Sequence, residues 1–229
     1  MQLAQHNFAL DSGERISTLA VDNIHPDHWE RYHYAVEHLR PLGVGLVGAD
    51  VFCGAGYGTH LLAQKLPCFI LGIDGSAEAV RQASEHYASI NVLFSQKFFP
   101  FALPAAHFDF IVSMESLEHV EDGELFFFMM AKALKPGGRL VVSCPNSDVF
   151  DLQKNPYQWH FRHYTPTEML ELGKSAGLVS IIWAGASCLL TNPDGTVVSS
   201  NFYSMVDSRL RVHHAGSTIT HVFEKPVTS

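Results

Sequence analysis

The sequence predicts a doubly wound α/β fold: a sheet of about seven strands, mostly parallel with an antiparallel last strand, and helices on both faces. Three observations predict it. From residue 46 to residue 144, short apolar runs alternate with segments of helical period, the signature of a mainly parallel sheet. The runs are nearly continuous in apolar residues, as in strands buried on both faces. A glycine-rich turn follows the first run and leads into a helix, and ligands bind beyond the carboxyl ends of the strands in such sheets.

Taken in order, Pro26 suits a first helical turn. Residues 27–39 carry Trp29, Tyr32, Val36 and Leu39 roughly on one side, and Pro41 and Gly43 end that helix. Residues 46–52 read as a buried strand, 59–65 as helix and 69–73 as strand. Ser76 is a plausible N-cap for a helix reaching residue 87. Short strands follow at 91–94 and 108–113. A helix over 122–134 is stopped by Pro136-Gly137-Gly138, and 139–143 is a strand. Thr165 with Glu168 three residues later has the pattern of a capping box for a helix over 166–176, ended by Gly177. The last strands are expected at 178–184 and 218–223. Residues 185–217 are less regular, with a turn at Asn192-Pro193-Asp194-Gly195.

The 229 residues fit one domain: a helical extension over 1–40, a core over 46–144, and loops and last strands over 145–229. Apolar residues make up 47% of the chain, enough for a large core. The formal net charge of −8 and the lack of any Lys/Arg run speak against a nucleic-acid partner, whose binding is driven by counterion release from basic surfaces. Cys53, Cys68, Cys144 and Cys188 form no CxxC pair, so neither a disulfide framework nor a zinc knot is expected. No apolar stretch is long enough to cross a membrane. The start of the chain lacks a basic segment followed by an apolar core, so a cytoplasmic location is expected. The 14 histidines, among them His25, His28, His33 and His38, read mostly as surface or substrate-side residues.

The most informative stretch runs from Gly48 through Asp50, Phe52, Cys53, Gly54, Ala55, Gly56, Tyr57 and Gly58 to Thr59. Gly54 and Gly56 let bare backbone approach a ligand and tolerate positive φ. The spacing departs from the GxGxxG of dinucleotide binders, since Thr59 stands at its last glycine. Some 20 residues on, Asp74 ends the second strand, where Rossmann-like proteins bind a ribose: two acceptor oxygens match two vicinal hydroxyls. Further along come Phe94-Ser95-Gln96-Lys97-Phe98, then Phe108-Asp109-Phe110-Ile111-Val112-Ser113-Met114, Leu117-Glu118-His119 and Lys135-Pro136-Gly137-Gly138.

In order and spacing these segments resemble class I S-adenosylmethionine (SAM)-dependent methyltransferases, most closely over residues 46–144. The resemblance implies SAM as cofactor, bound by Asp50, Phe52, Cys53, Gly54, Ala55, Gly56, Tyr57, Asp74, Gly75, Gln96, Lys97, Ser113 and Met114. Gln96 stands where the family often has an Asp facing the adenine amine. Phe52 replaces the family's first motif glycine, and a bulky side chain there is expected to reshape the pocket. These two departures motivate an alternative reading, a catalytically degenerate binding or scaffold protein. Gly13-Glu14-Arg15, His28-x-x-Arg31-Tyr32-x-x-Ala35, Asn155-Pro156-Tyr157 and His160–Thr165 resemble parts of bacterial members acting on small-molecule or glycan-type acceptors, methylated at oxygen or nitrogen. The aromatic residues Trp29, Tyr32, Tyr157, Trp159 and Tyr203 are candidate pocket walls. The candidate general bases are His119, His160, His163 and Tyr164, expected on the carboxyl edge of the sheet. Glu115, Glu118 and His119 are spaced to share one helical face and, with His160 or His163, would make a carboxylate–imidazole metal set for Mg²⁺ or Mn²⁺. Such sets resemble those of metal-assisted O-methyltransferases. The preferred reading is ordinary exposed acids at a helix start, with no metal.

Overall fold

The structure, a computed structural model, describes residues 24, 26–187, 189–198 and 208–227. Gly13-Glu14-Arg15, His25, Cys188 and Tyr203 lie outside the described residues.

Among the described residues eight strands form one sheet: β1 (Leu46–Val51), β2 (Cys68–Asp74), β3 (Val92–Gln96), β4 (Phe108–Ser113), β5 (Leu134–Pro145), β6 (Val179–Ala186), β7 (Arg211–Val212) and β8 (Thr218–Glu224). Their order is β3-β2-β1-β4-β5-β8-β6-β7. Strands β1 to β5 run parallel, while β8 is antiparallel to both β5 and β6, and β7 is antiparallel to β6. The two-residue edge strand β7 is the addition to the expected seven. It lies in the irregular 185–217 region and has no apolar run to announce it.

Five α-helices among the described residues, α1 (Pro26–Leu39), α2 (Tyr57–Lys65), α3 (Ala77–Tyr87), α4 (Gly123–Ala133) and α5 (Pro166–Ser175), cover the sheet. Phe126, Phe127 and Met130 of α4 and Met169 and Leu172 of α5 pack one core with Ile111, Leu140 and Phe223. Tyr32, Val36 and Leu39 of α1 and Leu61 and Leu62 of α2 pack the other, with Ile70, Phe110 and Val222. Each fully buried side chain of this kind contributes about 1.5–3 kcal/mol, so both faces of the sheet hold the fold together. Among the described residues no helix is long and apolar enough to cross a membrane. Cys53, Cys68 and Cys144 are buried free thiols.

The local signals act as expected at the caps. Ser76 Oγ accepts from Ala79 N, and Thr165 and Glu168 form a reciprocal capping box. The Lys135–Gly138 turn behaves differently from expectation. Helix α4 ends at Ala133, and Leu134 already pairs with Phe108, while Arg139 pairs with Phe110. The segment is therefore a bulge inside β5 rather than the stop of a helix. Gly138 sits so tightly there that a Cβ would lie 2.9 Å from the Lys135 carbonyl oxygen. Lys135 Nζ reaches Asp109 Oδ2 at 2.8 Å, and the same oxygen accepts Val47 N at 2.8 Å. Asp109 thus ties the bulge to the start of β1.

Candidate active site

Strand β1 delivers the chain to the carboxyl edge of the sheet, where the Phe52 and Cys53 amides both donate to the Ile73 carbonyl, at 2.7 and 3.0 Å. Gly54 then takes φ +55° and Gly56 φ +84°. At Gly54 an added Cβ would meet nothing within 4 Å, so the backbone borders open space. At Gly56 it would strike the Ala83 Cβ at 2.6 Å. Gly54 keeps room beside the turn, and Gly56 lets α2 begin hard against α3.

Asp74 closes the other side. Its Oδ2 accepts Gly54 N at 3.0 Å and its Oδ1 accepts Ser76 N at 2.8 Å. Two backbone amides hold the carboxylate, and a carboxylate oxygen can accept more than one donor. Gln96 pairs in register with Asp74 and donates Nε2 to the Gly75 carbonyl at 3.1 Å, leaving Oε1 as an acceptor at the exposed end of β3. Lys97 contributes its amide to the Asp74 carbonyl at 3.0 Å.

Asp50 lies wholly buried behind the turn. Tyr32 Oη donates to its Oδ2 at 3.2 Å and Thr59 Oγ1 at 2.7 Å. Burial pushes its carboxyl up to about 7, against the pull of the Thr59 and Tyr32 hydroxyls. Burial likewise pushes the Cys53 thiol up, with Asp50 and Asp74 adding to the shift. Ala55 is buried, and Tyr57 joins Trp29 and Tyr32 at ring distances of 5.3 and 5.9 Å. Ser113 Oγ donates to the Val51 carbonyl at 3.0 Å, and Met114 packs in the same core as Tyr57.

Phe52 holds φ +63°, the left-handed region natural to glycine. Its ring lies tilted against Phe126, centroids 4.9 Å apart, and packs on the α4-side core. The side chain is drawn into packing with α4.

Beyond β4 a second group gathers. Glu115, at φ +47°, is partly buried, and its carboxylate accepts Ser143 Oγ at 2.6 Å while its amide donates to the same hydroxyl at 3.0 Å. Burial pushes the Glu115 carboxyl up, and nearby Arg31, itself buried and paired at 2.7 Å with Asp27, pulls it down. Glu118 is 1% exposed within a single 3₁₀ turn, Leu117–His119, which corrects the expectation of exposed acids at a helix start. Its backbone carbonyl accepts Phe161 N at 2.7 Å and so anchors the 157–163 loop. That loop brings His160 to His119, ring centroids 4.8 Å apart. Ligand atoms of Glu118, His119 and His160 all lie within 4.8 Å of one another. His163 is buried behind His160, whereas Tyr164 is placed in the α4–α5 core, with Arg162 stacked over its ring at 4.7 Å. Burial pushes the Tyr164 hydroxyl up to about 12.

Sequence reasoning missed the backing groups. Ser143 under Glu115, and the Trp159 and Phe150 carbonyls behind the imidazoles, carry no motif, because their roles depend on long-range neighbours. The sequence marks Tyr32 as an aromatic of the first helix and a candidate pocket wall, yet its hydroxyl is a buried partner of Asp50.

Residues 49–142 match the family model described as "Methyltransferase domain". Over this core the chain is similar to class I SAM-dependent methyltransferases. A relative in Mycolicibacterium smegmatis, described as "Probable S-adenosylmethionine-dependent methyltransferase", is 31% identical over 174 residues, covering 72% of this chain and 64% of that protein. A "Ubiquinone biosynthesis O-methyltransferase" of Cupriavidus pinatubonensis is 30% identical over 154 residues, 58% of this chain and 61% of that protein. The chain thus spans less than two thirds of the length of both relatives. The structure of a SAM-dependent methyltransferase from Mesorhizobium loti superposes with a TM-score of 0.64 at 16% identity, covering 87% of this chain and all of that one, a likeness in fold.

The resemblance to SAM-dependent methyltransferases implies SAM as the cofactor. The residues present fit that group. The open side of Gly54 gives it room, the paired Asp74 oxygens suit ribose hydroxyls, and the Gln96 oxygen is an acceptor for an amine at the sheet edge.

Proposed function

We propose that this protein methylates a small-molecule or glycan-type acceptor at oxygen or nitrogen, with residues 46–144 holding SAM and the described parts of segments 1–40 and 145–217 building the acceptor side. The observation that carries the reading is the imidazole pair His119 and His160 gathered beside Glu118, just past the end of β4, the strand next to β1 and its glycine turn. SAM supplies an activated methyl group on a cationic sulfur. An acceptor hydroxyl or amine forms its bond to that methyl carbon as the carbon–sulfur bond breaks and its electron pair stays on sulfur. The proton lost by the acceptor passes to an imidazole nitrogen. His160 is our preferred base, with His119 beside it. Their contribution is acid–base help of about 10²–10⁴-fold, while alignment of the acceptor with the methyl group supplies the rest.

Calorimetric titration with SAM and S-adenosylhomocysteine, followed by a screen of hydroxyl- and amine-bearing acceptors with labelled SAM, tests the reading. Methyl transfer that His160→Ala slows at least tenfold, with SAM affinity kept, supports it. SAM binding with no acceptor turned over, across hydroxyl and amine classes, sinks it in favour of a binding protein.

A second reading is favoured by one observation, the convergence of Glu118, His119 and His160 on one point. Two imidazoles and one carboxylate suit Mn²⁺, Co²⁺ or Zn²⁺ better than Mg²⁺. A metal there would supply a Lewis acid to the acceptor oxygen. Titration of the chelator-treated protein with Mn²⁺ alone decides: micromolar binding abolished by Glu118→Gln favours the metal, and absent binding leaves the imidazoles as bases.

A further inference from the structure

Two backbone carbonyls lie against imidazole nitrogens of the acceptor-side cluster. The Trp159 oxygen is 3.0 Å from His119 Nδ1, and the Phe150 oxygen is 2.5 Å from His163 Nδ1. A carbonyl oxygen only accepts, so each of these Nδ1 atoms carries a proton. For neutral His163 this leaves Nε2 with the lone pair. His160 Nδ1 stands 2.6 Å from that nitrogen, a hydrogen bond that exists only when His160 carries its proton on Nδ1. His160 Nε2 is then the lone-pair nitrogen, as His119 Nε2 is through the Trp159 carbonyl. One loop therefore gives both imidazoles the same tautomer.

We propose that His163 is a positioning residue: clamped between the Phe150 carbonyl and His160, it holds His160 in the tautomer whose Nε2 accepts. This rests on the reading that His160 serves the acceptor side. The surroundings suit a fixed part. His163 is 5% exposed, the Phe150 ring lies 4.7 Å from its own, and the Phe161 amide bound to the Glu118 carbonyl locks the loop on the far side. The Tyr157 ring, 4.7 Å from His160, closes another side of that imidazole. A partner that sets the orientation and tautomer of a working imidazole commonly matters 10- to 100-fold when removed, even though it touches no substrate.

The test is a long-range ¹H–¹⁵N correlation spectrum of the uniformly labelled full chain with its imidazoles neutral, which reports directly which nitrogen of each ring is protonated. In the wild type His160 should carry its proton on Nδ1. His163→Gln should keep it there, because its amide oxygen accepts from His160 while its NH₂ donates to Phe150. His163→Leu should release His160 into a mixture of tautomers and slow kcat of methyl transfer about 10- to 100-fold with the SAM Kd unchanged, and His163→Gln should recover most of that loss. A wild-type His160 protonated on Nε2 overturns the inference, and that spectrum decides even if His163→Leu does not fold. A tautomer unmoved in folded His163→Leu also overturns it. So does His163→Gln that keeps the tautomer yet turns over as slowly as the leucine variant. Methyl transfer insensitive to His160→Ala, alongside the expected spectra, is a separate failure, that of His160 as the base.

Discussion

Asp74 and Gly54, twenty positions apart in sequence, are joined by a 3.0 Å hydrogen bond from the glycine amide to the aspartate carboxylate. The bond joins the acid that ends β2 to the glycine turn, so the carboxylate proposed for the ribose also shapes the turn.

Asp74→Ala removes the acceptor of two backbone amides together with the oxygens meant for the ribose. Hydrogen bonds to a charged group contribute about 1.5–3 kcal/mol each. SAM affinity should therefore fall about 10- to 100-fold in a calorimetric titration. Asp74→Asn, which keeps one acceptor oxygen, should lose less. Unchanged affinity in the alanine variant would remove Asp74 from the cofactor site.

Asp50 predicts a pH dependence of stability. Its carboxyl is raised by burial from 3.8 to about 7, so the native state holds a proton that the unfolded chain has already released. Native stability should fall as pH climbs from about 4 to about 7, a window worth on the order of 1.4 kcal/mol per pKa unit. Above that range the loss is complete, and below it there is none. Denaturant unfolding at several pH values should show this slope, flattened in Asp50→Asn. A slope unaltered by that substitution would assign the effect to another group.

Gly58 has no room for a methyl group. A Cβ there would lie 1.9 Å from the Tyr32 ring, whose hydroxyl serves Asp50. Gly58→Ala should cost about 1–3 kcal/mol through overpacking, read as a lowered Tm, and Tyr32→Ala in the same chain should recover part of that loss. A Tm equal to wild type in Gly58→Ala would show that α1 shifts freely from α2.

Phe52→Gly sets two effects against each other. Glycine relieves about 1–2 kcal/mol of left-handed backbone strain, but truncating a buried phenylalanine costs about 3–5 kcal/mol. Phe52 is only partly buried against Phe126, so the packing loss is the smaller part of that range and still exceeds the strain relieved. The variant should be less stable by about 1–3 kcal/mol, by thermal unfolding, with SAM affinity within about threefold of wild type. A marked rise in affinity would show that the ring obstructs the pocket after all.

The fold was legible in the sequence because its signals are local and repeated. Apolar strand runs, the Ser76 cap and the Thr165–Glu168 capping box act over a few residues, and the structure realises them. The Lys135–Gly138 turn was legible as a turn but not as a bulge, since that depends on where β5 pairs with β4. Glu118 differs for a related reason: spacing suggests an exposed helical face, while the structure buries it in a 3₁₀ turn whose carbonyl binds Phe161 N of the distant 157–163 loop.

By itself the sequence determined the parallel core, the glycine turn and the acid that ends β2, because strand burial, positive φ and capping are properties of neighbouring residues. Only the tertiary structure decided where the Phe52 ring goes, what holds Asp50, and that His119, His160 and Glu118 converge. Those relationships link positions tens of residues apart, and they arise from the packing of α4, α1 and the 157–163 loop against the carboxyl edge of the sheet.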